Sequence, residues 1–422
     1  MSLASKPVIC YIAQMKTLAI IAEFNPFHRG HEYLIQAARQ AAAADFVIIV
    51  MSGDFVQRGA PAILDKRIRT RMALLGGADL VLELPLPYAS ASAEYFARGA
   101  VCLLDRLGVV DELYFGSECG DIHRLEAAAR ALSDEDPAFK AALLTHLKAG
   151  CSYPLARSLA ADLDPAFLAQ ANNILGCEYI RALNYFHSPI RAQTLLRQGA
   201  AHHDAHIAAQ GFSSASAIRQ LIYENAPTQL IKALSGCVPE NCLPLYEKPR
   251  HFIGENDVSQ ILHYKLLAES NTGFSRYFDV SVDLSKKIVK HLPQFINFND
   301  FATRLKSKDL TYLRIQRALI HILLDIHESD LDLFMEQGYI FYARLLGFGA
   351  RADDLLALIK KRTAIPLISK LADAARILDE NAMKMLNMDI HAAHVYDSLL
   401  LHKYGVRPKH ECRKELVISA GD

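Results

Sequence analysis

The chain has 422 residues, 51% hydrophobic and 22% charged, with Lys+Arg and Asp+Glu both at 46. That composition excludes a disordered chain and a coiled coil, and the zero net charge argues against a protein that coats nucleic acid through bulk charge, although a local basic patch remains compatible. No apolar run approaches the ~20 residues of a membrane-spanning helix, and at roughly 150 residues per domain the length suits two or three domains.

The N-terminal stretch has no convincing cleavage site, so no signal peptide is expected, and residues 1–15 are read as an extension. Leu18–Ala22 is a short apolar run, strand-like and buried on both faces. A helix is expected from about Gly30 to Ala43, a second strand at Phe46–Val50, and a helix over Leu64–Leu75 ended by Gly76-Gly77. Leu80–Leu84 is the third strand, stopped by Pro85. Ser92–Leu107 is helical, and Glu112–Phe115 is the fourth strand, ended by Gly116. This βαβαβαβ order predicts a parallel sheet with right-handed crossovers and a ligand site beyond the carboxyl ends of its strands.

Residues 121–185 read as helical, Ile190–Leu196 as one more strand, and Ser213–Asn225 as a serine-led helix. The period breaks around Pro227, Pro239, Pro244 and Pro249, which sets a domain boundary. Beyond 256 the helical period dominates, with examples at Leu310–Ile326, Tyr339–Leu346 and Leu355–Lys361. The expected division is an extension at 1–15, an α/β domain at 16–226, and a linker with a mainly α-helical domain at 227–422. Eight cysteines (Cys10, Cys102, Cys119, Cys151, Cys177, Cys237, Cys242 and Cys412) are scattered without a C-x-x-C pair. They are read as reduced thiols of a cytoplasmic protein, mostly buried, and no metal site is expected from them.

The sharpest signal is Glu23-Phe24-Asn25-Pro26-Phe27-His28-Arg29-Gly30-His31, directly after the first strand. Pro26 favours a turn, and Gly30 lets the backbone come close to a ligand. His28 and His31 are three apart at a helix start and share a face. That end of a helix offers free N–H groups and positive potential, which suit phosphate. Two imidazoles there can donate to the charge that builds on a phosphorus under attack. An incidental pair of surface histidines is the plainer alternative, and the placement of H-x-G-H at the exit of strand one disfavours it.

H-x-G-H is the signature of the nucleotidyltransferase superfamily, whose members attack the α-phosphate of ATP and release pyrophosphate. The wider phrase Ile21–His31 closely resembles the opening of the tRNA(Met) cytidine acetate ligase family. Further segments match that family in order: Met51–Gly59, then Lys66 and Arg69, Glu83-Leu84-Pro85, Phe115–Glu118, Ser152–Arg157, Asn172–Gly176, Ser213–Arg219, Thr311–Arg317 and Leu345–Phe348. Asp54 stands where an asparagine is expected, and Ala171 where a proline usually precedes the Asn pair.

The resemblance implies a Rossmann-like HIGH-type nucleotidyltransferase domain with a parallel sheet, followed by a mainly helical, tRNA-binding domain. It implies an ATP site framed by Ile21, Ala22, Glu23, Phe24, Asn25, Pro26, Phe27, His28, Arg29, Gly30, His31, Glu32, Tyr33 and Leu34, with His28 and His31 catalytic. Gly116 would let base or ribose pack on bare backbone, or is a plain turn glycine. One of Asn172 and Asn173 is expected to contact the nucleotide, and which of them stays open. Arg197 ends the late strand where the family places an ATP-contacting arginine. Ser213, Ser214, Ser216 and Arg219 resemble a phosphate loop holding the β- and γ-phosphates. Mg²⁺ is expected with the nucleotide, without a carboxylate cage.

Lys66 and Arg69, three apart on one helix face, are candidates for binding phosphate or the acyl carboxylate, or form a solvated basic face. Between residues 286 and 317, Lys286, Lys287, Lys290, Arg304, Lys306, Lys308, Arg314 and Arg317 face only Asp300 and Asp309. From composition alone this is equally an RNA phosphate surface or a solvated helix face. The resemblance favours RNA and makes Lys306, Lys308, Arg314 and Arg317 substrate-binding candidates. His202-His203-Asp204-Ala205-His206 suits no standard zinc spacing. Gly347–Ala352 carries the letters of a dinucleotide fingerprint but follows a helical pattern, so it is rejected.

The implied activity is an ATP-dependent ligase. It forms acetyl-adenylate from acetate and passes the acetyl group to N4 of the wobble cytidine of elongator tRNA(Met), with neither DNA nor membrane as partner. The competing readings are a nucleotidyltransferase acting on a small phosphorylated metabolite and a non-catalytic RNA-binding protein with a vestigial nucleotide fold.

Overall fold

The computed structural model describes residues 15–133, 137–151, 153–197, 212–247, 252–307 and 310–419. Lys308, the His202–His206 cluster and residues 1–14 lie outside them. Strands β1 (Thr17–Ala22) and β2 (Phe46–Ser52) precede a short hairpin of β3 (Phe55–Val56) and β4 (Ala60–Pro61). Then come β5 (Leu80–Leu84), β6 (Glu112–Ser117) and β7 (Arg191–Leu196). The main sheet runs β5-β2-β1-β6-β7 with every pair parallel. Successive strands move outward from β1 on one side, and the chain then crosses to the other side at β6. That reversal opens a crevice at the carboxyl ends of β1 and β6.

Strand β1 is central and covered on both faces, which explains its unbroken apolar run. Leu18 and Ile20 pack with Ile35 and Ala38 of the helix Arg29–Ala42, whereas Ala19 and Ile21 pack with Phe96 and Ala100 of the helix Ala93–Leu107. Each large apolar side chain buried this way contributes about 1.5–3 kcal/mol. The helix Arg29–Ala42 starts at His28 and stops at Ala43, which takes the left-handed conformation (φ 47°). The helix Lys66–Leu75 is capped by Asp65, whose carboxylate accepts from the Arg67 and Ile68 N–H groups.

The second half of the chain is not helical throughout. The segment 339–346, expected as helix, instead leads into β8 (Ala343–Gly349), which pairs antiparallel with β5. Strands β9 (Leu367–Ile368) and β10 (Val417–Ser419) then pair with β8, so one sheet draws on both halves of the chain. Gly347 and Gly349 therefore lie at the end of a strand and not after a helix, and the reason for setting the fingerprint aside changes. A Cβ on Gly347 would meet the Val417 carbonyl oxygen at 2.5 Å, so this glycine serves strand packing. Because β8 is antiparallel, its carboxyl end lies opposite the crevice, and the next helix opens with Asp353 and Asp354, which repel phosphate.

Four helices of the second half, Ser259–Glu269, Val282–His291, Phe298–Leu305 and Tyr312–Leu323, share a core with Tyr396 and Leu399 of the long helix Glu380–Tyr404. Phe55 and Leu86 of the first half reach into that core. Among the described residues no helix is long and apolar enough to cross a membrane.

Candidate active site

The loop leaving β1 turns through Phe24, in the left-handed conformation (φ 49°), and the cis Asn25–Pro26 peptide. The Phe24 and Phe27 rings meet edge-on at 4.9 Å, and Phe24 lies 4.8 Å from the His31 ring. This aromatic bed sets the histidines at the first turn of the helix Arg29–Ala42. His28 is the N-cap: its Nδ1 accepts the Gly30 N–H at 3.1 Å, and His31 Nδ1 accepts the His28 N–H at 3.3 Å. A nitrogen that accepts carries no proton, so in its neutral form each ring keeps its hydrogen on Nε2, the atom that can serve as a donor. Burial first, and then the His28 and Arg197 charges, push the His31 pKa well below its ordinary 6.5. Gly30 is required chiefly by its neighbour, since a Cβ there would lie 2.9 Å from His28 Cε1.

Across the crevice, Gly116 near the end of β6 leaves room for Arg197, whose Cγ would lie 3.1 Å from a Cβ at that position. The Arg197 N–H donates to the Ser117 carbonyl at 2.9 Å, extending the β6–β7 ladder by one residue. The two asparagines separate. Asn173 is fully buried: its Oδ1 accepts the Glu118 and Cys119 N–H groups, and its Nδ2 donates to the Phe167 carbonyl and to Gln170. Asn172 lines the cavity, with its amide donating to Glu118.

The third wall is the helix Ala215–Glu224. Ser214 caps it by accepting the Ala217 N–H at 3.1 Å, and Ser213 Oγ lies 3.5 Å from Cys237 Sγ. Arg219 donates to the Asn25 carbonyl at 2.7 Å and to Ser216 Oγ at 3.1 Å, which ties this helix to the loop after β1. Burial, followed by the Arg58 charge, lowers the Arg219 pKa. One cavity thus collects Ile21, Ala22, Glu23, Phe24, Asn25, His28, Gly30, His31, Tyr33, Leu34, Gly116, Asn172, Arg197, Ser213, Ser214, Ser216 and Arg219. Pro26, Phe27, Arg29 and Glu32 stand outside its lining. The Phe27 ring fills the space where a Cβ on Gly76 would be, and Arg29 pairs with Glu240 at 3.7 Å on the surface.

Sequence reasoning missed Gln57 and Arg58, which the β3–β4 hairpin delivers to the cavity, and Phe212, whose ring lies 5.5 Å from Tyr33. Arg58 stands inside the matched stretch Met51–Gly59, but nothing in its spacing marks it as a cavity residue.

Lys66 and Arg69 lie elsewhere. Lys66 is 2% exposed and sits among Glu83 at 2.8 Å, Glu411 at 3.1 Å and Asp54 at 3.4 Å. Arg69 donates to the carbonyls of Leu64, Glu23, Ser52 and Gly53. Both groups are fully engaged within the protein, holding the loops after β1 and β2 instead of lining the cavity. In the basic segment Lys306 and Arg314 are exposed, whereas Arg317 pairs with Asp279 at 3.3 Å and is largely buried. Among the described residues no group of three or more His, Cys, Asp or Glu is placed to hold a metal ion, and Glu23 is the one carboxylate in the cavity lining.

A family described as HIGH Nucleotidyl Transferase matches residues 15–411. A tRNA(Met) cytidine acetate ligase of Acetivibrio thermocellus is 36% identical over 90% of this chain and 94% of its own, and one of Thermoanaerobacter sp. is 38% identical over 90% and 95%. Among solved structures, Thermotoga maritima TmcAL without ligand superposes with a TM-score of 0.89 at 29% identity, over 96% of this chain and 100% of that one. The same protein bound to alpha-thio ATP superposes with a TM-score of 0.85 at 28% identity, with the same coverage. With its H-x-G-H helix start at the β1–β6 crevice, this chain belongs to the tRNA(Met) cytidine acetate ligase family of HIGH nucleotidyl transferases.

Proposed function

We infer that this protein is an ATP-dependent ligase that activates acetate as acetyl-adenylate and transfers the acetyl group to N4 of the wobble cytidine, position 34, of elongator tRNA(Met). The observation that carries the reading is the pair His28 and His31: Nδ1 of each is tied to the helix start and each lines the cavity with an Nε2 donor. An acetate oxygen attacks the α-phosphorus, the bond to the β-phosphate breaks, and pyrophosphate leaves. The two imidazoles, held at the positive end of the helix dipole, donate to the charge that develops on the α-phosphate oxygens. Because His31 stays neutral, it stabilises that charge by hydrogen bonding and does not require protonation.

Arg197 and Arg219 supply positive charge to the triphosphate, with Ser213, Ser214 and Ser216 at the neighbouring helix start. Gly116 and Asn172 flank the nucleoside, and the Tyr33 and Phe212 rings offer it an aromatic face. A lone Glu23 carboxylate does not form an octahedral cage, so Mg²⁺ would arrive coordinated by the phosphates and water. Residues 16–226 hold the ATP half of the work, and exposed basic side chains of the helical region, Lys306 and Arg314 among them, meet the tRNA.

Pyrophosphate exchange with ATP, measured with acetate alone, with small phosphorylated metabolites and with tRNA(Met), tests this reading. Acetate-dependent exchange together with N4-acetylcytidine in the recovered tRNA is expected. Exchange that depends on a metabolite and ignores acetate would replace it with a cofactor-synthesis enzyme.

A further inference from the structure

A second cavity adjoins the first and shares three of its wall residues, Asn25, Arg58 and Arg219. The partition is thin. The Asn25 carbonyl accepts from Arg219 at 2.7 Å, and Asn25 Oδ1 accepts the Ile63 N–H at 2.8 Å, so one residue is held from both sides. The far wall comes from the helical half of the chain: the turn Glu255–Val258 with Gly254 before it, Asn299, and Lys403 of the long helix. Tyr223 closes one side. Its hydroxyl donates to the Ile253 carbonyl at 3.4 Å, and its ring lies so close to Gly254 that a Cβ there would meet the Tyr223 oxygen at 2.8 Å. The cavity therefore stands between the ATP site and the helical region, the position an acceptor must take to reach an activated acyl group.

Its chemistry fits a base better than a phosphate. Lys403 is occupied, donating to Asp257 at 2.7 Å and to the Phe252 carbonyl at 3.0 Å. Asp257 in turn accepts the Gly254 N–H at 2.6 Å, and Asn256 accepts the Asn299 N–H at 3.0 Å. Glu255 lies on the wall and acts electrostatically on the Arg219 guanidinium, so its carboxylate is within the field of the shared partition. A pyrimidine bearing an exocyclic amine presents N–H donors along one edge, and a carboxylate is the group that accepts them. A half-exposed tyrosine ring beside it supplies a face for an unstacked base.

We propose that this second cavity receives the acceptor cytidine base flipped out of the tRNA, with Glu255 accepting from the N4 amine and Tyr223 covering the ring. The proposal rests on the ligase reading above. In the transfer step N4 adds to the acetyl carbonyl carbon beside Arg58 and Arg219. The bond from that carbon to the AMP oxygen breaks, and AMP leaves with the electron pair. The surplus proton on N4 passes to the Glu255 carboxylate.

Two measurements on the full-length protein decide it. In the first, tRNA(Met) carrying 5-iodocytidine at the wobble position, which keeps the N4 amine, is irradiated with the enzyme, and the cross-linked peptide is mapped. Attachment at Tyr223 or within 253–257 is expected, and attachment elsewhere, or none, overturns the assignment. In the second, Glu255→Gln and Tyr223→Leu are compared by the ratio of acetyl transfer to acetate-dependent pyrophosphate exchange. A fall in that ratio of about 10²-fold for Glu255→Gln and about tenfold for Tyr223→Leu is expected. An unchanged ratio overturns the proposal, and so does an equal fall in both activities, which marks a structural role. Failure of the wild-type protein to acetylate tRNA would instead defeat the ligase reading itself.

Discussion

His28 and His31 stack with ring centroids 3.6 Å apart and planes 25° from parallel, and each Nδ1 accepts a backbone N–H of the same helix start. The two rings therefore cap the helix as well as line the cavity. Capping and chemistry make separable demands: the cap needs an acceptor at Nδ1, and the phosphate needs a donor at Nε2.

His28→Ala and His31→Ala should each lower acetate-dependent pyrophosphate exchange by on the order of 10²-fold or more, by comparison with other lost transition-state donors. Each should also destabilise the fold by about 1 kcal/mol through the lost cap. Asparagine at position 28 restores an acceptor for the Gly30 N–H, so His28→Asn should recover stability and leave exchange low. Denaturant melts run beside the exchange assay separate the two effects. Near-normal exchange in either alanine variant would remove that histidine from the chemistry.

The His31 shift gives a pH dependence with a definite sign. Its folded pKa lies below the unfolded 6.5, so between those values the unfolded chain binds more protons. The stability contributed by the neutral ring is present above pH 6.5 and is lost as pH falls below it, with a slope of at most about 1.4 kcal/mol per pH unit. His31→Asn should flatten that part of the profile in melts taken between pH 7 and pH 5. An unaltered slope would place the acid sensitivity elsewhere.

Arg219→Ala should weaken ATP binding by roughly tenfold or more, because a charge-assisted hydrogen bond contributes about 1.5–3 kcal/mol. It also frees the Asn25 carbonyl and so loosens the loop that carries His28. Equilibrium binding of a non-hydrolysable ATP analogue measures the first effect. Unchanged affinity would reduce the segment 213–219 to a helix cap.

Lys66 is surrounded by Glu83, Glu411 and Asp54, and together with Arg344 it holds the Glu411 carboxyl far below the usual carboxylate range. Lys66→Ala removes the ion pair of the buried Asp54 and leaves Glu83 and Glu411 to share Arg344, and should cost about 3–5 kcal/mol. Exchange activity should then fall only with the folded fraction. A variant that stays fully stable and loses exchange would restore Lys66 as a substrate ligand. Because the Glu411 pKa is depressed on folding, its contribution is present above the unfolded value of 4.5 and is lost as pH falls below it.

The legible parts of this protein are those with local signatures. Unbroken apolar runs marked the parallel strands, and H-x-G-H, Gly116 and the serine-led helix each announced themselves before the structure joined them. Strand β8 was not legible, because its partner Leu80 lies more than 260 residues from Phe348 and its leucines fit a helical period equally well. Lys66 and Arg69 misled for the same reason. Spacing of three puts two cations on one helix face, but whether that face meets solvent, a ligand or Glu411 depends on chain far away. Arg58 was missed because a two-residue strand leaves no periodic trace.

The basic segment divides along its exposure, and that division makes the sharpest test of the tRNA surface. Lys306 and Arg314 are exposed, so neutralising them removes charge from the surface and leaves the ATP cavity untouched, and Lys308 joins them in a triple variant on its place in the sequence alone. Acetyl transfer should fall, and the salt dependence of tRNA binding should flatten by up to about 0.9 in log–log slope per lost phosphate contact, the upper figure being that for a duplex. Arg317 is different. It pairs with Asp279, and its backbone nitrogen lies against Gly59 of the hairpin that carries Arg58. Arg317→Ala should therefore lower stability by about 1 kcal/mol through the lost Asp279 pair, and because the hairpin contact is made by the backbone, both activities should fall only with the folded fraction. A triple variant that transfers acetyl groups at normal salt sensitivity would show these side chains to be an ordinary solvated face.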